Sequence, residues 1–190
     1  MKHEIIVAGF GGQGVLLAGT LIAQAAIEQG LHTTWFPSYG AEMRGGTANS
    51  TIVVSDEEIG SPLAFNANAL IALNEPSLNK FLPRMAKSAA IIVNSSIIAQ
   101  TEKFTENTYF VPLSEIADKT IGNIKTANMV SVGALIKALE LCADHICKME
   151  NKILNINSAV KAVETAFYAK PKLVDINKKA VLAGYDFIEA

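Results

Sequence analysis

The feature that most constrains this chain is a glycine-rich turn, Gly9-Phe10-Gly11-Gly12-Gln13-Gly14, set between an apolar run at residues 4–9 and a segment of helical period at residues 15–29. The turn fits G-x-G-x-x-G in the context that pattern requires, after a strand and opening a helix. Glycine tolerates the left-handed backbone of a tight turn, and the missing Cβ lets backbone N–H groups come close to an anion at the positive end of a helix. Leu16, Leu17, Gly19, Thr20, Ala23, Ala26 and Ile27 give the helix a small, apolar face, and Gly30 stands where a C-terminal cap glycine belongs. Gly9, Gly11, Gly12, Gln13 and Gly14 are therefore candidate ligand-binding residues. Three readings stay open for them: a dinucleotide site, glycines needed only for close strand–helix packing, or contact with a phosphate-bearing ligand or another subunit.

Further strands are expected at residues 31–36, 47–54, 69–73, 89–93 and 108–111. Helices are expected at 75–86, disturbed by Pro83, and at 127–142, 157–169 and 172–183, with Ser114 capping a short helix after Pro112. The 127–142 segment reads as strongly amphipathic. Strand–helix alternation predicts an α/β, Rossmann-like three-layer domain with a mostly parallel sheet and a helical C-terminal third. The length of 190 residues suits a single domain over residues 1–190. Half of the residues are hydrophobic and the mean hydropathy is +0.28, as a sheet buried on both faces, or surface covered by other subunits, would require. Trp35 and Phe36 are expected in a core or interface, Asp56-Glu57-Glu58 in a solvated turn, and Lys178-Lys179 on a solvated helix face.

Several classes of function lose support. A formal net charge of -2 with no basic stripe argues against nucleic acid. No apolar run approaches the ~18 residues of a membrane span, and no signal peptide opens the chain, so a cytoplasmic protein is expected. Cys142 and Cys147, with His145 between them, are too few to hold a structural zinc or an iron–sulfur cluster. A dinucleotide site asks for an acid at the end of the second strand, and Leu31-His32-Thr33-Thr34-Trp35-Phe36-Pro37 has none. No Gly-Lys-Ser/Thr follows the turn, so it is not a Walker loop.

The most unusual stretch is Ser38-Tyr39-Gly40-Ala41-Glu42-Met43-Arg44-Gly45-Gly46-Thr47-Ala48-Asn49. Gly45 and Gly46 leave backbone donors open beside the fixed guanidinium of Arg44, and Glu42 can pair with Arg44 or carry a proton. Arg44, Gly45 and Gly46 join the candidate binding residues. A solvated turn with an incidental ion pair is the plain alternative.

Together, Gly-Phe-Gly-Gly-Gln-Gly-Val after the first strand and Ser-Tyr-Gly-Ala-Glu-Met-Arg-Gly-Gly-Thr-Ala further on resemble the gamma subunits of 2-oxoacid:ferredoxin oxidoreductases. The resemblance extends through Ser61-Pro62, Asn74-Glu75-Pro76 and Thr126-Ala127-Asn128-Met129, and the 2-oxoglutarate type is the nearest match. It implies a complex that oxidatively decarboxylates a 2-oxoacid with coenzyme A, yielding acyl-CoA, carbon dioxide and reduced ferredoxin. Thiamine diphosphate and magnesium would sit between alpha-type and beta-type subunits. Iron–sulfur clusters would lie on the beta-type and ferredoxin-like delta subunits, and the gamma-type chain would carry neither and be inactive alone. Residues 9–14 and 38–47 would then meet the phosphates of coenzyme A or partner loops, and an isolated chain could form a homodimer. A self-contained Rossmann-like nucleotide-binding protein or reductase, and a pure assembly scaffold, are the competing expectations.

Overall fold

The computed structural model describes residues 2–38, 47–99, 104–142 and 154–188. In chain order the strands are β1 (Lys2–Phe10), β2 (His32–Ser38), β3 (Thr47–Ser55), β4 (Ala67–Ala72), β5 (Met85–Asn94) and β6 (Thr108–Val111). The helices are α1 (Val15–Glu28), α2 (Glu75–Phe81), α3 (Leu113–Glu115), α4 (Ala127–Cys142), α5 (Ile156–Ala166) and α6 (Pro171–Phe187).

The strands form one sheet in the order β2-β3-β1-β4-β5-β6. β1, β4, β5 and β6 pair in parallel, while β3 runs antiparallel to both β1 and β2. Five strands thus share one direction and β3 alone is reversed, which refines the expected mostly parallel sheet. Ile5, Val7, Ile52, Val54, Ile71 and Ile92 pack on one face under α1, α4, α5 and α6. Ile6, Ala8, Leu70, Ile91 and Val93 pack on the other, against Leu78 and Phe81 of α2. Burial on both faces explains the unbroken apolar runs of the central strands.

Local chemistry sets the element ends. Gly30 has φ +74°, and its N–H donates to Ile27 at 2.9 Å while Leu31 donates to Ala26 at 3.1 Å, a Schellman cap that stops α1 where the sequence places it. α2 stops at Phe81, short of the expected residue 86. Pro83 has no N–H to continue the ladder, so the chain tightens into a 3-10 turn, Leu82–Arg84, and enters β5 at Met85. Ser114 does not cap α3, whose first residue follows Pro112; its hydroxyl instead accepts a bond from Asn94 Nδ2 at 3.1 Å. Lys178 is not purely solvated, because it pairs with Glu164 of α5. Asp56, Glu57 and Glu58 are exposed, as a solvated turn requires. Trp35 and Phe36 lie on the edge strand at 40% and 45% exposure, so neither is core.

α4 has the expected bounds but is not amphipathic. It is buried on nearly every side, from Asn128 through Ile136 and again at Ala138–Glu140, because the sheet lies beneath it and α1, α5 and α6 flank it. Glycines let α6 approach this closely. A Cβ on Gly133 would strike the Val181 carbonyl oxygen, and one on Gly184 the Val130 carbonyl oxygen, each well inside van der Waals contact. Because both obstacles are backbone, no rotamer change relieves them. Gly133→Ala is expected to destabilise the chain by about 1–3 kcal/mol, read as a lowered urea midpoint.

His3, near the start of β1, is largely buried. Among the described residues its Nδ1 has no hydrogen-bond partner. Burial, and then the nearby N-terminal charge, lower its pKa to about 4. The unfolded chain binds a proton at His3 with pKa near ~6.5, so stability from the neutral imidazole is complete above that pH and falls away as pH drops toward 4. Unfolding midpoints between pH 7 and pH 4 should decline less steeply for His3→Gln than for the native chain.

Candidate functional site

The carboxyl ends of β1, β4, β5 and β6 converge on one edge of the sheet, where open α/β sheets bind ligands. The glycine-rich turn forms one wall. Its glycines have distinct jobs. A Cβ on Gly9 would come within 2.8 Å of Gln13 Oε1 and 2.9 Å of Val15 Cγ2, so Gly9 answers to packing. Gly14 has φ +75° and, if it had a Cβ, would drive it into the Asn128 amide. Gly12 has φ +93° with open space around it, and Gly11 is exposed. Packing thus accounts for Gly9 and Gly14, while Gly11 and Gly12 face outward.

Gln13 is a clasp. Its Oε1 accepts from the Phe10 N–H at 2.6 Å and from Asn74 Nδ2 at 2.9 Å, and its Nε2 donates to the Leu73 carbonyl at 3.4 Å. Asn74 Oδ1 in turn accepts from the Ser77 N–H at 2.9 Å and caps α2. The Gln13 side chain therefore joins the β1 turn to the β4 turn, and its amide is engaged by protein on both ends.

A second junction ties α1 to α4. Asn128 Nδ2 donates to the Gly14 carbonyl at 3.2 Å, and that carbonyl also accepts from the Ala18 N–H at 2.9 Å. The chain enters α4 through a π-helical turn, Ile116–Thr120, then Gly122 at φ +79° and a 3-10 turn, Ile124–Thr126. Asn123 braces that turn, with Oδ1 accepting from the Lys125 N–H at 3.1 Å and its carbonyl accepting from Thr126 Oγ1 at 2.8 Å.

Between these walls lies a cavity of about 210 Å³. It is lined by Gly12, Gln13 and Leu73 from the turns after β1 and β4, by Asn94 at the end of β5 and Ser114 of α3, and by Ile124, Lys125 and Ala127 at the entry to α4. The lining includes one cation and no carboxylate. Asn94, Lys125 and Asn123 were not singled out from the sequence, and Ser114 was read there only as a helix cap. Asn94, Ser114 and the Asn123–Lys125 turn lie on separate elements, and no local motif announces them.

Arg44, Gly45, Gly46 and Glu42 fall outside the described residues, as do Cys147 and His145. The two ends of the 39–46 segment are placed, however. Ser38 pairs with Asn49, and Thr47 pairs with Phe10, so the segment is rooted at the same sheet edge as the glycine turn. Lys80 Nζ on α2 donates to Thr47 Oγ1 at 2.9 Å at that root. Among the described residues no cluster of histidine, cysteine, aspartate or glutamate could hold a metal ion, and no helix is long and apolar enough to cross a membrane.

A Rossmann-like sheet with a glycine turn, a cation-bearing cleft at its carboxyl edge and no acid on the second strand defines an α/β domain with a candidate binding cleft. The family is defined further by comparison with known proteins: residues 4–187 match the pyruvate ferredoxin/flavodoxin oxidoreductase model, and the chain belongs to that family. A ketoisovalerate oxidoreductase subunit VorA from Methanothermobacter thermautotrophicus is 38% identical over 97% of this chain and 36% of its own length, so the chain spans about a third of that relative. A 2-oxoglutarate synthase subunit KorC from the same organism is 31% identical over 99% of this chain and 96% of its own. The crystal structure of a keto/oxoacid ferredoxin oxidoreductase gamma subunit from Geobacter sulfurreducens superposes with a TM-score of 0.77 at 26% identity, covering 97% of this chain and 96% of that one. Relatives of the ketoisovalerate and 2-oxoglutarate types both match, and neither type is singled out.

The Gly14–Asn128 contact can be tested by a double-mutant cycle. Gly14→Ala should destabilise by more than the ~1–2 kcal/mol of left-handed strain alone, because the new methyl meets the Asn128 amide. In an Asn128→Ala background the excess should disappear, leaving only the strain, as measured by urea unfolding.

Proposed function

We propose that this chain is the gamma-type subunit of a thiamine-diphosphate-dependent 2-oxoacid:ferredoxin oxidoreductase. As a single cytoplasmic domain, inactive by itself, it would serve a complex that converts a 2-oxoacid, with 2-oxoglutarate the first candidate, and coenzyme A into acyl-CoA, carbon dioxide and reduced ferredoxin. The observation that carries this reading is the cleft at the carboxyl edge, lined by a cation and by the outward-facing Gly12 and free of carboxylates, in a chain of this family. Such a site favours an anion such as a phosphate of coenzyme A.

Under this reading alpha-type and beta-type subunits hold thiamine diphosphate and magnesium, and the beta-type and ferredoxin-like delta subunits hold the clusters. Gly11, Gly12, Gly14, Arg44, Gly45 and Gly46 contribute binding and orientation, with Arg44 as the electrostatic element of the neighbouring segment. Gln13 contributes by holding the turn. The exposed Trp35 and Phe36 offer apolar surface to a partner subunit. The family's chemistry is supplied by the partners' thiamine and clusters; this chain's residues bind, orient and exclude water.

The test is anaerobic purification of the tagged chain from its native host. Thiamine- and cluster-bearing subunits should co-purify, and a panel of 2-oxoacids should identify the substrate through dye reduction. In the intact complex, Arg44→Ala is expected to raise the apparent KM for coenzyme A about tenfold or more, the scale of one charge-assisted hydrogen bond. A solitary chain without thiamine or iron would overturn the subunit reading. Unchanged affinity and turnover in Arg44→Ala would remove Arg44 from the site.

A further inference from the structure

We infer that the outer edge of β2 docks a second copy of this chain, the two β2 strands pairing antiparallel about a two-fold axis to make one continuous sheet. The inference goes beyond the proposed function. It concerns the flank of the sheet rather than the cleft at its carboxyl edge, and it names a second copy as the partner of the exposed Trp35 and Phe36.

An unguarded strand edge is the first observation. β2 ends the sheet, and all seven of its residues pair with β3 on one side. Among the described residues no strand and no loop backbone bonds to its other side. Such an edge is a row of free donors and acceptors, and monomeric proteins blunt it with charged side chains, short strands, bulges or a covering segment. β2, His32-Thr33-Thr34-Trp35-Phe36-Pro37-Ser38, holds no lysine, arginine, aspartate or glutamate, and its register with β3 runs without a bulge. The strand at the opposite edge, β6, is only four residues long.

Pro37 is the one guard, and it stands next to the end of the strand. It also sets which groups face outward. A proline in a sheet turns its nitrogen away from the ladder. By the alternation of an antiparallel strand, Thr33 and Trp35 then direct their N–H and C=O groups outward, while Thr34 and Phe36 bond to β3.

Apolar surface flanks the edge above and below. Trp35 and Phe36 are consecutive, so they leave the strand on opposite faces. Trp35 lies on the α1 side, beside Gly19, and its indole N–H donates to Ser50 Oγ at 2.7 Å, which holds the ring in place while 40% of the residue stays exposed. Phe36 is 45% exposed on the other face. α1 packs on β2 and adds the exposed Leu17 and Ile27. Aromatic anchors with few charges between them have the composition of an interface core.

Symmetry and charge name the occupant. Two identical strands paired antiparallel set donors against acceptors across the axis, so the edge is its own complement. Its two ends carry opposite charge. Where β2 starts, β3 ends at Ser55, followed by the exposed Asp56, Glu57 and Glu58. Where β2 ends, β3 starts, and there Lys80 Nζ is tied to Thr47 Oγ1 at 2.9 Å. A two-fold axis brings the acidic end of one copy toward the basic end of the other, whereas a parallel approach sets like ends together.

Trp35 is the chain's one tryptophan, so its fluorescence reports this edge alone. Sedimentation of the full chain over a concentration series should show a monomer–dimer equilibrium, with a blue shift of Trp35 emission that follows the dimer fraction. Hydrogen exchange should slow at the Thr33 and Trp35 amides as the dimer forms and stay unchanged at Thr34 and Phe36, which are already bonded to β3. Phe36→Lys supplies the charge that edge strands ordinarily carry and should raise the dimer dissociation constant about tenfold or more, with the urea midpoint of the monomer unchanged. If that variant does not fold, the exchange pattern of the native chain decides alone. A chain that stays monomeric at every concentration, or a dimer in which Trp35 emission and the Thr33 and Trp35 amides do not change, would overturn the inference. A monomeric chain whose Trp35 is shielded only in the purified complex would assign the edge to a different subunit and overturn it likewise. Co-purification of thiamine- and cluster-bearing subunits is read separately, so the subunit reading stands or falls on its own.

Discussion

The contact between Gly14 and Asn128 governs the rest of the site. Gly14 closes the glycine turn and starts α1; Asn128 lies in the first turn of α4. Their hydrogen bond sets how far apart the two helix starts stand, and the cleft is the space between them. Asn128 can hold this position only because α4 is itself immobilised, with the sheet below and the glycine-to-backbone contacts of α6 beside it. The chain of constraint therefore runs from Gly133 and Gly184 through α4 to Asn128, then to Gly14 and the turn. Substitutions far from the cleft act on it along that route.

Much of the frame is legible in the sequence. The apolar runs mark β1, β4 and β5, and the strand-turn-helix pattern marks β1 and α1, because burial on both faces leaves unbroken apolar stretches. Gly30 marks the end of α1 because only a left-handed residue closes a Schellman cap at low cost. The reversal of β3 is not legible, since an apolar run carries no sign of direction. The amphipathic reading of α4 fails for a related reason: Lys137 and Glu140 look like a polar stripe, but Glu140 is buried and accepts a bond from Tyr185 at 2.6 Å.

The site was less legible than the frame. The turn residues were found because they are contiguous. Gln13 was found for another role: the sequence shows its place in the motif but not Asn74, 61 residues away, to which it is bound. Asn94, Ser114 and Lys125 come from three further stretches of chain and meet only through the fold. Ser114 looked like a helix cap because serine after a proline fits that pattern; its tie to Asn94 requires β5 and β6 to be neighbours.

The reversed strand β3 also bears on how the chain finds its structure. β1 and β2 are joined through α1 yet never touch as strands, because β3 lies between them. β1, α1 and β2 therefore do not form a closed β-α-β unit, whereas β4, α2 and β5 do. The nearest closure in sequence is the antiparallel pairing of β2 with β3, where Ser38 meets Asn49. Loop-closure entropy favours forming such a local hairpin ahead of long-range parallel pairs. Closing this hairpin costs the least loop entropy of the strand pairings, while the β1–β4 seam on which the cleft sits joins strands far apart in the chain. Ser38 and Asn49 are thus held by the most local strand pairing of the sheet, independently of the long-range seam.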